Sequence, residues 1–316
     1  MGRVSLELTL NELLLPACNA FWGSQTRLVS AYEKFKILSV TGGVPRYLEE
    51  INPHLSAEEN IRLLAFSPSG ILFHEFDRIF SDLFSKRSAL YKRIVEVLAY
   101  GCLDFNQICQ ALHYEKSGAL SQYLEDLIET GYMMRHYTWD LKTTKRSGLS
   151  QFRLKDNYLR FYLRYILPHQ NQIQKGRLIP LPAWHSMMGL QFENLVLHNF
   201  HPLARKLHIP SGEVLCDGPF FQRPTQTQRG CQIDYLIQTC FHTLFVCEIK
   251  FSKDPIPGSI LEEMREKIDR MKIPKHFSIR PVLIHVNGVT DVVIESGFFA
   301  HIVGFDALLE AEEDNA

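Results

Sequence analysis

Apolar residues recur at helical spacing through the first half of the chain. Leu10, Leu13, Leu14 and Ala17 open the pattern, and Pro16 is expected to limit that helix. Ser56, placed before Ala57, Glu58 and Glu59, is a suitable N-cap for a helix running through Ala65. Phe73, Phe76, Ile79, Phe80, Leu83 and Phe84 then form a second stripe. Between the first helix and Ser56 lies TGGVPRYLEEI, which predicts a Gly-Gly turn, then Pro45, then a short helix.

The pattern then changes. Leu90, Ile94, Val97 and Leu98 give one helix. Asp104 caps a second, and Ser117 opens a third that ends at Gly131. YMMRHYTWD and QFRLKD read as two strands around the polar loop LKTTKRSGLS. Three short helices followed by a β-hairpin is the winged-helix layout. Leu159, Tyr162, Leu163 and Ile166 mark a further helix, expected to end at Pro168 before a linker-like stretch. Beyond it a helix through MMGLQFENLVLHNF precedes the strand-like runs QIDYLIQ, TLFVCEIKF, PVLIHV and FAHIVGF, with a helix over Ser259–Met271. The expected organisation is therefore α+β and multidomain: a helical region over 1–85, a winged helix over 86–155, a connecting helix and linker over 156–180, and an α/β domain over 181–316.

Composition narrows the function classes. Thirty-four Lys and Arg against 35 Asp and Glu exclude a uniformly basic nucleic-acid binder, so any such contact must come from a local patch. The seven cysteines form no C-x-x-C pair and several sit in apolar runs, which points to buried thiols in a reducing, cytoplasmic setting. No apolar run reaches the ~18 residues a bilayer requires. Glu7, Asn11 and Glu12 interrupt the N-terminal apolar stretch, so neither a membrane span nor a secretory signal is expected.

The segment CQIDYLIQTCFHTLFVCEIKFSK carries the candidate chemistry. A hairpin turning around Phe241 sets Asp234 opposite Glu248 and Leu236 opposite Val246, with Lys250 two residues on along the same face. Ile233, Tyr235, Ile237, Cys247, Ile249 and Phe251 fall on the other face. Two opposed carboxylates destabilise a ladder unless something neutralises them. A shared Mg²⁺ or Mn²⁺ suits their hard oxygen donors. Lys250 would then orient a water or stabilise charge on a phosphate, and Glu193 in the preceding helix is the natural third carboxylate. A solvated strand face is the competing reading.

At these residues the chain resembles the PD-(D/E)XK (restriction-endonuclease-like) nuclease superfamily, in the order helix acid, strand Asp, hairpin, E-x-K, helix, strand. The resemblance implies that Glu193, Asp234, Glu248 and Lys250 are catalytic. It also implies that Asp234, Glu248 and the carbonyl of Ile249 bind metal. A nuclease-like fold that no longer cleaves stays open. VTGGVPRYLEEI, the three-helix winged region and FRLKDNYLRFYLRYILP together resemble the C-terminal part of the archaeal-type AAA+ ATPase family. Gly43, Val44 and Pro45 match its lid element. No G-x-x-x-x-G-K-[ST] occurs, so the Walker A loop is missing and ATP hydrolysis by this chain alone is not expected. A separate ATPase subunit or a second copy of the chain is a possible partner.

For nucleic acid, Lys142, Lys145 and Arg146 at the wing tip are expected to track phosphates, within a basic run that also includes Arg153, Lys155, Arg160 and Arg164. The third helix is acidic, with Lys116 and Gln122 its only clear readers. Phe152, Tyr158, Phe161 and Tyr162 are expected in the core. His198 and His201 are expected to serve packing rather than zinc. The sequence thus predicts a DNA-binding, divalent-metal-dependent nuclease. The alternative is a non-catalytic DNA- or partner-binding adaptor.

Overall fold

Short-range capping sets several of the helices. The computed structural model describes residues 11–84, 88–177, 185–226 and 229–311. Its first part holds α1 (Leu15–Cys18), α2 (Ala31–Thr41), α3 (Pro45–Leu48), α4 (Ala57–Ala65) and α5 (Ile71–Phe84). Next come α6 (Ser88–Leu98), α7 (Phe105–Leu112), α8 (Gly118–Glu129) and the hairpin β1 (Met133–Trp139) and β2 (Arg146–Leu154). Ser56 with Glu59, and Asp104 with Gln107, form reciprocal capping boxes, and Ser117 accepts from the Leu120 amide. Gly131, just past the end of α8, takes φ 81°, a value costly for any residue with a Cβ.

Two prolines act differently from expectation. Pro16 begins α1 rather than limiting it, because a residue without an N–H fits the first turn, where that donor has no partner. Leu10 lies outside the described residues. Pro168 does not end the helix after β2. Following α9 (Asn157–Phe161) the chain widens into a π turn over Tyr162–Ile166 and tightens at Leu167–His169, then continues as α10 (Gln170–Gln174). The change of pitch accommodates the missing donor. The hairpin loop is also shorter than expected, because β2 already begins at Arg146, opposite Trp139.

The last part contains α11 (His185–Leu197), α12 (Phe200–Lys206), β3 (Val214–Gln222), β4 (Cys231–Thr239), β5 (Thr243–Lys250), α13 (Ser259–Arg270), β6 (Ser278–His285), α14 (Asp291–Glu295), β7 (His301–Gly304) and α15 (Phe305–Leu308). The five strands order as β3-β4-β5-β6-β7. β3, β4 and β5 are antiparallel neighbours, while β6 and β7 extend the sheet in parallel. The molecule is α+β with a mixed five-stranded sheet. β3 was not expected from the sequence. It is an edge strand holding Gly218 and Pro219, residues tolerated at an edge and disruptive to strand patterning.

The β4–β5 register is the expected one, with Tyr235 opposite Cys247 and Leu236 opposite Val246. One face assignment is corrected. The step from Gly218 to Phe220 on β3 pairs with the step from Leu236 to Ile233 on β4, so β4 carries one extra residue. This bulge moves Ile233 to the face covered by Ile260 and Met264 of α13, with Leu236 and Val246. Tyr235, Ile237, Cys247 and Ile249 face the opposite core, with Phe192 of α11.

That second core is continuous from Leu15 and Phe35 through Ile94, Phe152 and Tyr158 to Phe305. Phe152, Tyr158, Phe161 and Tyr162 are buried in it, as expected. Polar bridges cross it too. The Leu15 amide donates to Asn199 Oδ1 at 2.7 Å. Gln191 Nε2 donates to the carbonyls of Ser39 and Asn157, both at 2.7 Å. The hairpin is fixed to the sheet by Gln238, whose Oε1 accepts from Trp139 Nε1 at 2.8 Å and whose Nε2 donates to the Leu141 carbonyl at 2.9 Å. All seven cysteines are unbridged, and Cys18, Cys109, Cys231 and Cys247 are buried. Among the described residues no helix is long and apolar enough to cross a membrane.

Candidate active site

The bulge in β4 aims Asp234 toward β5. Its Oδ2 accepts from the Ile249 amide at 2.9 Å, so a side chain takes the place of a ladder carbonyl at the point where β4 and β5 part. Oδ1 lies 3.9 Å from Lys267 Nζ, and the same ammonium contacts Glu248 Oε2. Both carboxylates are well buried, with side chains 15% and 6% exposed. The two acids expected to converge therefore do so, and the cation between them is a lysine of α13.

Electrostatics follow from this packing. Burial, then the neighbouring charge of Glu248, pushes the Asp234 carboxyl well above its ordinary value, although Lys267 and the Ile249 amide pull the other way. Burial alone would lower the Lys267 ammonium, but Asp234 and Glu248 beside it hold it above its ordinary value. One ammonium thus serves two buried acids, and the site lacks positive charge.

The other expected site residues are placed as follows. Lys250 lies at the end of β5 with its side chain 39% exposed and pairs with Glu263 of α13 at 2.9 Å. Glu193 pairs with Arg153 of the hairpin. It stays within electrostatic reach of Asp234, whose pKa it helps raise, without joining the Lys267 cluster. Among the described residues no group of three or more His, Cys, Asp or Glu converges into a metal-binding set. The donors that fit a hard divalent ion are Asp234 and Glu248, because their free oxygens already converge on one positive charge.

The basic run is corrected in part. Arg153 and Arg160 are buried at 3% and 1% exposure, so they cannot face phosphates. Arg153 bonds Asn194 Oδ1 at 3.2 Å, and Arg160 bonds the Leu154 carbonyl at 2.8 Å and Gln191 Oε1. Lys142, Lys145 and Arg146 are exposed, Arg146 lying over the Tyr137 ring. On the third helix's side Lys116 is exposed, and the Gln122 amide donates to Asp126 at 2.9 Å. His198 is buried 4.0 Å from Glu12, and burial drives it down to about 3, which suits packing. His201 is exposed.

At the lid-like turn the Gly43 amide donates to Glu12 Oε2 at 3.0 Å, and the Gly43 carbonyl accepts from the Leu13 amide at 2.8 Å. A Cβ on Gly43 would fall 2.3 Å from the Leu13 carbonyl oxygen. The chain's own residues 12 and 13 thus fill the turn, and Pro45 starts α3 beside it.

Lys267 was not expected from the sequence. A signal for it existed: buried Ile260, Met264 and Met271 place position 267 on the same helical stripe. A lysine at a core-facing position implies a buried acid to receive it.

No family model matches the chain. Over 144 residues it is 28% identical to an uncharacterized protein of Methanocaldococcus jannaschii, MJECL04; the match covers 46% of this chain and 31% of that one. The chain therefore spans about a third of the length of the curated relative it matches. Among solved structures, protein VC1899 from Vibrio cholerae is similar over 76% of this chain and 52% of that one, at 11% identity and a TM-score of 0.30, too slight to argue from.

Proposed function

We propose that this chain is a divalent-metal-dependent phosphodiesterase acting on DNA, with a PD-(D/E)XK-type sheet domain and a winged helix over α6–β2. One observation carries the reading: Asp234 and Glu248, on neighbouring strands, converge on a single positive charge. Asp234 and Glu248 would hold Mg²⁺ or Mn²⁺, with the Ile249 carbonyl as a further oxygen ligand. The metal, when bound, supplies a water of lowered pKa and a positive charge on the scissile phosphate. Lys250 leaves Glu263, an exposed pairing worth ~1 kcal/mol or less, to orient that water or meet the developing charge. Lys267 holds the two acids together before a cation enters. Arg153 keeps Glu193 beside them.

Cleavage of DNA with Mg²⁺ or Mn²⁺ tests this. Glu248→Gln and Lys250→Ala are each expected to lower the rate at least about a hundredfold. Equal cleavage by wild type and both variants rejects the assigned residues.

The Lys267 contact also favours a second reading, in which the lysine has taken over the metal's task and the chain is an adaptor that binds DNA or a separate ATPase subunit. Calorimetric titration with Mn²⁺ separates the two. Heat of binding lost in Glu248→Gln supports the enzyme. A folded protein that binds no divalent ion and co-purifies with a Walker-A-containing ATPase supports the adaptor. Nucleotide binding at Gly43 and Pro45 is no part of either reading, because residues 12 and 13 occupy that turn.

A further inference from the structure

A groove runs along the seam between the hairpin and the sheet, starting beside the candidate active site. Its first chamber, about 440 Å³, is lined by Lys267, Arg270, Arg223 and the amides of Gln151 and Gln232. The second, about 370 Å³, shares Arg223 and Gln222 with the first and adds Lys272. The third, about 650 Å³, shares Lys272 and Leu141 with the second and adds Lys142 and Lys275. Six basic side chains, from α13, the loop after it, the loop after β3 and the hairpin loop, therefore line one path, faced by two acids, Asp104 and Asp140.

Among the described residues three of the six cations are already paired, Lys267 with Asp234 and Glu248 among them, and three are not. Asp104 pairs with Arg223 at 3.3 Å, and Asp140 is turned onto the Thr143 amide and hydroxyl. Arg270 pairs with Glu266 one turn back on an exposed face. Lys142, Lys272 and Lys275 are exposed and make no ion pair among the described residues. Lys267, Arg270 and Lys272 do complement the C-terminal end of α13. Lys275 lies further along the same loop, Lys142 and Arg223 lie on other segments, and no helix end explains these three. Gln222 fixes the rim by accepting from the Lys272 amide at 3.3 Å and donating to the Arg270 carbonyl.

We propose that this groove is the path of a single nucleic-acid strand, whose phosphates run from Lys142 and Lys275, past Lys272 and Arg223, to Arg270 beside the Asp234–Glu248 pair. Its destination rests on the phosphodiesterase reading; the path itself does not. Chambers of a few hundred Å³ have the size of small-ligand pockets, which suits one extended strand better than a duplex. A positively charged groove that tracks the backbone is the electrostatic part of sequence-tolerant single-strand binding. In this arrangement the hairpin is one wall of a strand channel, and Lys116 and Gln122 on the side of α8 play no part.

Fluorescence anisotropy with a labelled oligo-dT about 20 nucleotides long, in EDTA, tests the path without any cleavage. Replacing Lys142, Lys272 and Lys275 together by Glu is expected to weaken binding at least about tenfold and to lower the salt slope by about 2. The same charge change at Lys116 and at the exposed Lys175 and Arg177 just after α10, none of which lines the groove, should leave both near wild type, and duplex DNA should bind more weakly than the oligo. Equal effects of the two triple variants, or tighter binding of duplex, overturn the path. A protein that binds the strand through these lysines yet never cuts keeps the path and loses only the enzymatic reading. One that cuts single strands without these lysines loses the path alone.

Discussion

Asp234 accepts the Ile249 backbone amide at 2.9 Å, making a bond that the strand ladder would otherwise supply from a carbonyl. The acid is thereby part of the sheet as well as of the site. Its orientation is set by a backbone group on β5, directly beside Glu248. A carboxylate held this way need not search for its geometry when a cation arrives.

Lys267 is expected to be the main stabilising partner of this pair. Lys267→Met leaves two buried acids without their cation and should cost about 3 kcal/mol in urea denaturation. If the acids form a metal site, millimolar Mn²⁺ restores much of that loss by binding the native state alone. Loss of stability with no recovery in Mn²⁺ speaks for the adaptor.

Asp156 supplies a pH test away from the site. It caps α9 through the Leu159 amide, and burial, followed by the charge of Glu12, pushes it up to about 7 from 3.8. The folded state therefore holds this proton more tightly than the unfolded state, so the contribution of Asp156 to stability falls as pH rises from about 4 to about 7. Asp156→Asn keeps a capping oxygen and removes the charge. The variant should gain about 2–4 kcal/mol over wild type at pH 8, with the difference shrinking to near zero at pH 4, as read by urea denaturation.

His136 works in the opposite direction. Burial, then the charge of Arg153, holds it down to about 4 from 6.5, and its Nε2 has no hydrogen-bond partner among the described residues. Below pH 6.5 the unfolded chain takes up a proton that the folded one refuses, so stability is lost as pH falls toward 4. His136→Leu should flatten that acid limb by close to one proton in a pH series of unfolding free energies. An unchanged slope would assign the acid lability to His198 or elsewhere.

Gln191 tests the unity of the core. Its side chain serves Ser39 of α2 and Asn157 and Arg160 of α9. Gln191→Ala strands two carbonyls and a buried guanidinium, and should cost about 3–5 kcal/mol. Calorimetry should show one transition moving down as a unit. A split into two transitions would show that the helical part and the sheet part unfold separately.

Features fixed by neighbours in the chain were legible in the sequence. The caps at Ser56, Asp104 and Ser117 and the turn at Phe241 each depend on a few adjacent residues, and the hairpin register brought Asp234 and Glu248 together before any coordinates. Features fixed at a distance were not. Arg153 and Arg160 read as surface charge because their partners, Glu193, Asn194 and Gln191, come from a helix some 30 to 40 residues on. β3 was hidden by Gly218 and Pro219, and the bulge opposite it reversed the face of Ile233. Lys267 lay in the charged run EEMREK, where its place on the buried stripe is visible only when positions 260, 264 and 271 are read together.

The bond between Trp139 and Gln238 has an evolutionary corollary. A buried indole N–H in the hairpin is met by the side-chain oxygen of a buried amide in the sheet, so neither half could be exchanged for a foreign counterpart without a matched change in the other. Recombination that shuffles modules as independent cassettes would be punished here, and the two halves are expected to be inherited together.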